Sequence, residues 1–154
     1  MENSKIEVLT SEMVFLGAQA ANKVDAIRQA GELLFKAGCI APSYINGMLA
    51  REQVMSTYLG NGIAIPHGEL ADLRSVYRVG VSVLQLTEGV EWEPGKRAYL
   101  VIGLATINIA HIDVLTNLID LLQAPETIIQ LVHATDPMVI VETLTRRRSE
   151  IGWN

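Results

Sequence analysis

Three side chains in this sequence are candidates for joint chemistry: His67, His111 and Arg51. His67 closes the run Gly60-Asn61-Gly62-Ile63-Ala64-Ile65-Pro66-His67-Gly68, in which Ile63, Ala64 and Ile65 read as a short buried strand. Pro66 cannot donate a ladder hydrogen bond, so regular pairing is expected to stop there, and Gly68 leaves room for a turn. This puts an imidazole on a stiff mount at a strand end, suited to nucleophilic or acid–base work near neutral pH. The same pattern also fits a histidine in an ordinary strand-end turn. His111 stands at the start of a predicted helix, after a strand, where sites in open α/β sheets gather. Two histidines without a carboxylate at metal-ligand spacing are too few for a metal site. A Ser-His-Asp hydrolase lacks its Gly-x-Ser-x-Gly elbow. The remaining chemistry is an imidazole that accepts and donates a phosphoryl group. Its spread negative charge would be met by the Arg51 guanidinium, by His111 and by backbone N–H groups at a helix start. No phosphate-cradling Gly-x-x-x-x-Gly-Lys loop is present, so the donor need not be a nucleotide; a phosphohistidine on another protein would serve.

The elements that must position these groups follow from the apolar pattern. Met13 to Leu16 reads as an opening strand. Asn22 is a candidate cap for a helix through Ile27, Ala30, Leu33, Leu34 and Ala37 that Gly38 ends. Pro42 suits the first position of a second helix, through Ile45, Met48 and Leu49, which carries Arg51-Glu52 near its end. Arg78 to Leu86 alternates as a strand, Glu88-Gly89 reads as a turn and Pro94-Gly95 as another. Ala98 to Ala105 is almost wholly apolar, the pattern of a central strand buried on both faces. A helix through Ile112, Leu115, Leu118, Ile119 and Leu122 is expected to turn Asp113, Asn117 and Asp120 outward. Short helices after Ala124-Pro125 and Asp136-Pro137 complete the chain. The expected architecture is an α/β sandwich: a mixed, mostly buried β-sheet flanked by helices on both faces.

Bulk properties bound the function. At 154 residues, 49% apolar and 19% charged, the sequence reads as one globular domain over residues 1–154, without repeats or linkers. A net charge of −5 argues against nucleic acid, and the one basic run, Arg146-Arg147-Arg148, complements the dipole of the last helix. The polar start is no signal peptide and no apolar run reaches membrane-spanning length, so a cytoplasmic setting is expected. The lone Cys39 excludes an internal disulfide and reads as a packed thiol at a helix end. His133, without a strand end or a second candidate group beside it, reads as an ordinary surface or packing histidine.

Taken together, Met48-Leu49-Ala50-Arg51-Glu52 and the run from Ser56-Thr57-Tyr58-Leu59 to Pro66-His67-Gly68 resemble the enzyme IIA domain of the mannitol/fructose family. That family belongs to the bacterial phosphoenolpyruvate-dependent sugar phosphotransferase system. The resemblance continues through Gly80-Val81, Gln85, Gly89-Val90-Glu91-Trp92 and Leu100-Val101-Ile102-Gly103-Leu104-Ala105 to His111. Around Gln85 to Trp92 it is more mannitol-like than fructose-like. It implies that His67 takes a phosphoryl group from the phosphohistidine of the carrier HPr and passes it to a cysteine of enzyme IIB. The membrane sugar permease would be served indirectly, and no cofactor or metal is implied. It further implies that Arg51 stabilises the phosphoryl oxygens and that His111 bonds or orients the group. Relatives often carry Asn-Glu directly before the second histidine, where this chain has Ile109-Ala110, losing a carboxylate beside the imidazole. A regulatory module, in which the phosphorylation state of His67 controls binding to a transcription regulator or transporter, is the alternative reading.

Overall fold

A computed structural model describes residues 8–106, 113–121 and 123–145. The strands are β1 (Val14–Ala18), β2 (Tyr58–Gly60), β3 (Ile63–Ala64), β4 (Gly80–Glu93) and β5 (Lys96–Ala105). The helices are α1 (Lys23–Lys36), α2 (Ser43–Val54), α3 (Asp113–Leu121), α4 (Pro125–Val132) and α5 (Pro137–Thr145). A short 3-10 helix, Leu70–Ser75, follows the His67 segment.

The sheet order is β1-β4-β5-β3-β2. β1 runs parallel to β4 and β3 parallel to β5, while β4/β5 and β2/β3 are antiparallel. The apolar run Ala98–Ala105 thus occupies the middle position, and its inner residues are fully buried. Helices cover both faces, as β4 shows. Ser82 donates to the Ala30 carbonyl of α1 at 2.8 Å, whereas Gln85 donates to the Leu131 and Ala134 carbonyls at the end of α4, at 2.9 and 3.0 Å. Positions 82 and 85 differ by an odd number, so they point to opposite faces of the pleat. Most predicted boundaries hold to a residue or two. Asn22 caps α1 through a 2.8 Å bond from the Asp25 amide, and Pro42 is the residue just before α2 rather than its first.

Three expectations are corrected. Glu88-Gly89 is not a turn between strands, because β4 runs on to Glu93. Gln85 faces Leu100 and Val90 faces Ala98, so five steps on β4 match two on β5 and the surplus bulges out. Gly89 supplies the positive φ (70°) that the bulge needs, and a Cβ there would meet the Tyr99 ring at 2.7 Å. Asn117 does not face away: it is buried, and its Nδ2 donates to the Leu144 carbonyl of α5 at 2.6 Å. Ile119, expected inward, is instead exposed. A buried amide that satisfies a carbonyl at the end of a neighbouring helix fixes the facing of α3 better than its apolar pattern does. The third correction is β2, which was not anticipated. Asn61 (φ 52°) and Gly62 (φ 84°) form a two-residue hairpin loop that folds Tyr58–Gly60 back on Ile63–Ala64.

Candidate functional site

His67 lies just past the carboxyl end of β3, level with the last residues of its parallel neighbour β5. Pro66 has no N–H, but its carbonyl still accepts from the Leu104 amide at 3.0 Å, and pairing resumes for one residue as a parallel bridge between His67 and Leu104. The proline interrupts the ladder without releasing the segment. The imidazole is half-buried, and its Nδ1 lies 2.9 Å from the Ile65 carbonyl oxygen. A carbonyl only accepts, so this contact assigns the proton to Nδ1 and leaves the lone pair on Nε2. Among the described residues Nε2 has no hydrogen-bond partner.

The segment is clamped from within by Tyr44, a residue of α2 that is 1% exposed. Its hydroxyl donates to the Leu104 carbonyl at 2.7 Å and accepts from the Gly68 amide at 2.9 Å. One oxygen thereby holds both strands of the His67–Leu104 bridge. Burial raises the phenol's pKa from its ordinary value. The Gly68 and Thr106 amides draw it back, and the Asp72 carboxylate adds to the rise. The group is therefore neutral at physiological pH and keeps the proton it donates. Gly68 has to lack a side chain, because a Cβ would lie 2.7 Å from the Tyr44 ring and 3.0 Å from Asp72 Oδ2. Asp72 completes the turn by accepting from the Glu69 amide at 2.7 Å, within a capping box that starts the 3-10 helix.

Arg51 sits in the last turn of α2, half-buried, and its Nη1 donates to the Met55 carbonyl at 2.6 Å. This bond caps the helix end and uses one of the five guanidinium N–H groups. Arg51 and His67 share no hydrogen bond with each other. What brings them to one end of the sheet is the α2–β2 connection: two residues past Met55, the Thr57 carbonyl accepts from the Ile65 amide at 3.0 Å.

The adjacent Glu52 points the opposite way. It is 5% exposed and accepts from Thr57 Oγ1 (2.6 Å), Thr57 N (3.1 Å) and Trp92 Nε1 (2.8 Å), with Lys23 Nζ at 3.5 Å. Sequence reading paired Glu52 with Arg51 but gave it no structural place, and it missed Tyr44 altogether. Neither role shows in local pattern, since the bond between Glu52 and Trp92 spans 40 residues and that between Tyr44 and Leu104 spans 60.

His111, the third predicted site residue, lies outside the described residues, as do Ile109-Ala110 and the basic run Arg146-Arg147-Arg148. His133 is exposed, with Nδ1 2.9 Å from the Ile129 carbonyl. It lines an open groove of ≈ 540 Å³ with Tyr58, Arg97, Tyr99 and Ile128, at the opposite end of β5 from Leu104. Cys39 is fully buried just after α1, and burial raises its pKa despite the nearby Arg78.

A mixed α/β sheet that holds one imidazole at a strand end, its Nε2 without a partner among the described residues and an arginine at the same end of the sheet, suits histidine-based group transfer. The comparisons with known proteins make the class specific. The family described as "Phosphoenolpyruvate-dependent sugar phosphotransferase system, EIIA 2" matches residues 7–147, and the chain belongs to it. It is 46% identical over 149 residues to a multiphosphoryl transfer protein of Xanthomonas campestris pv. campestris, covering 97% of this chain and 18% of that protein. It is 42% identical over 142 residues to the mannitol-specific EIICBA component of Escherichia coli K12, covering 91% of this chain and 22% of that protein. The chain thus spans about a fifth of the length of these relatives. Among solved structures it superposes on the Escherichia coli complex of enzyme IIAMTL with phosphorylated enzyme IIBMTL, with TM-score 0.82 and 42% identity. That match covers 90% of this chain and 98% of the other. The crystal structure of IIA mannitol from Escherichia coli gives TM-score 0.81 at 43% identity, covering 88% and 98%.

Proposed function

We propose that this domain is a phosphocarrier of a mannitol-type sugar phosphotransferase system, with His67 as the phosphorylated residue. The observation that carries the reading is the Nδ1 contact with the Ile65 carbonyl, which leaves the Nε2 lone pair as the nucleophile. Nε2 attacks the phosphorus of a phosphohistidine on the carrier HPr. The new N–P bond forms as the donor's N–P bond breaks, and the donor imidazole leaves with the electron pair. The positive charge that develops on the His67 ring is shared through Nδ1–H with the Ile65 carbonyl, so no further proton has to move. A cysteine thiolate of enzyme IIB then takes the phosphoryl group in the same way, and the membrane permease is served through it. Arg51 supplies N–H groups to the equatorial oxygens, and His111 bonds or orients the group from the other side.

Exchange between proteins needs a docking surface around the histidine. Val54 and Met55, just after Arg51, are 73% and 67% exposed, and Leu70, three residues past His67, is 78% exposed. Large apolar side chains left open beside a reactive group are suited to transient protein contact. No described helix is long and apolar enough to cross a membrane. The reading places the exchange in the cytoplasm.

The test is incubation with phosphoenolpyruvate, enzyme I and HPr, followed by intact mass. Wild type is expected to gain one acid-labile phosphoryl group that purified mannitol-type IIB removes, and folded His67→Ala to gain none. A folded wild type that stays unmodified, or an adduct that persists in His67→Ala, refutes the assignment.

A further inference from the structure

We propose that Glu52 is a positioning residue for this site: its buried carboxylate fixes the Met55–Thr57 connection, and through it the two carbonyls that orient His67 and Arg51. The inference rests on the phosphocarrier reading. The links are hydrogen bonds joined by one or two residues of backbone. Glu52 holds Thr57 through both its amide (3.1 Å) and its hydroxyl (2.6 Å). The Thr57 carbonyl accepts from the Ile65 amide (3.0 Å), and the Ile65 carbonyl meets His67 Nδ1 (2.9 Å). On the other branch, the Met55 carbonyl two residues before Thr57 takes the Arg51 guanidinium (2.6 Å).

The far side of the carboxylate is anchored on different elements. Trp92 Nε1 on β4 donates to it at 2.8 Å, and Lys23 at the start of α1 approaches to 3.5 Å. Lys23 also lies 5.8 Å from the centroid of the Trp92 ring. The connection that sets the two orienting carbonyls is therefore referenced to β4 and α1, not only to its own helix. A buried ion pair is a poor source of stability, since an apolar replacement of similar volume often does as well. An apolar side chain here would strand the Thr57 amide and the Trp92 indole N–H, and would let the connection shift. Small displacements of this kind matter for phosphoryl transfer, because the protein's part in it is largely positioning.

The experiment uses the full chain as wild type, Glu52→Met, Glu52→Gln, Thr57→Val and Trp92→Phe. Two quantities are read: the imidazole tautomer of His67 from ring-nitrogen NMR shifts, and kcat and KM for phosphorylation by phospho-HPr. Glu52→Met, close in length and volume, is expected to lose the Nδ1–H tautomer preference and to lower kcat roughly 10- to 100-fold with KM nearly unchanged. Glu52→Gln keeps an acceptor for Trp92 and the Thr57 amide, and its own amide can donate to Thr57 Oγ1, so it is expected to restore most of both. Thr57→Val and Trp92→Phe each remove one donor to the carboxylate and are expected to fall between. If Glu52→Met does not fold, these two carry the test. Folded variants with lowered melting temperature but wild-type tautomer and kcat overturn the proposal and leave Glu52 a purely structural residue. A wild type that takes no phosphoryl group refutes the phosphocarrier reading instead, and the tautomer measurement still judges Glu52.

Discussion

Tyr44→Phe removes a single oxygen and leaves an aromatic ring of the same shape in a site that is 1% exposed. Three groups lose a partner: the Leu104 carbonyl, at 2.7 Å, the Gly68 amide, at 2.9 Å, and the Thr106 amide. Leu104 is fully buried, so its carbonyl bears the desolvation cost, whereas Gly68 is half-buried and water can replace part of its bond. The net loss is expected at about 1–3 kcal/mol, the range for leaving buried polar groups unsatisfied. The loss falls on the backbone that flanks His67, because the Leu104 amide still binds the Pro66 carbonyl while nothing holds Gly68. Stability is measured by urea unfolding with unchanged slope, and the site by the rate of phosphorylation from phospho-HPr. Both are expected to fall, the rate by more than the unfolded fraction explains. A second signature is the alkaline limb. A phenol whose folded pKa lies above its unfolded value of 10.0 contributes stability that is fully present below that value and is lost as pH rises through the folded pKa. Tyr44→Phe should therefore lose stability less steeply above pH ~10 than wild type. A variant as stable as wild type at neutral pH, with the same alkaline slope and the same rate, would refute the clamp.

Other changes test the surrounding structure. Gly68→Ala places a methyl group 2.7 Å from the tethered Tyr44 ring, so a destabilisation of about 1–3 kcal/mol and a slower phosphoryl acceptance are expected, measured by the same two assays. Cys39, fully buried and with its pKa raised by burial, should react with an aromatic disulfide reagent only at the rate of unfolding; rapid labelling of the native protein would contradict its packing. Asn117→Leu leaves the Leu144 carbonyl without its 2.6 Å donor and should cost about 1–3 kcal/mol in urea unfolding, although the change is apolar for polar in a core position.

The sequence disclosed what rests on local pattern. Runs such as Val81-Ser82-Val83 and Leu100-Val101-Ile102 announce strands because apolar β-branched residues fit a buried sheet, and Asn22 announces a helix start because its side chain can cap an amide three residues on. The hairpin at Asn61-Gly62 was equally local and was missed: the dipeptide is a strong two-residue loop signal, but Tyr58–Gly60 is too short to show a period. Glu88-Gly89 failed in the opposite direction. A glycine with positive φ serves a bulge as well as a turn, and only the register against β5 separates the two. Asn117 failed because an amide on a helix surface and an amide that bonds a neighbouring helix look identical until α5 is in place.

The pair Arg51-Glu52 shows where sequence reading stops for the site itself. Two adjacent charges of opposite sign suggest a local ion pair, yet successive helix positions are about 100° apart around the axis and cannot serve the same surface. The fold uses that separation. Arg51 stays half-buried at the helix end, bound to the Met55 carbonyl and, among the described residues, with most of its N–H groups uncommitted, while Glu52 goes inward to Thr57 and Trp92. A guanidinium bound in a tight inward pair would be held firmly but would have fewer N–H groups left for a phosphoryl oxygen. Dividing the work between neighbours lets one carboxylate hold the frame and, on the phosphocarrier reading, reserves the arginine for the transferred group. Exchanging the two residues, Arg51→Glu with Glu52→Arg, keeps composition and net charge but puts the guanidinium against Trp92 Nε1 and the Thr57 amide, donors facing donors. The swapped protein is expected to unfold at lower urea than either Arg51→Ala or Glu52→Gln, and to accept no phosphoryl group. A swap that folded and transferred like wild type would show that the two positions are equivalent and that the inward bonds of Glu52 do not orient the site.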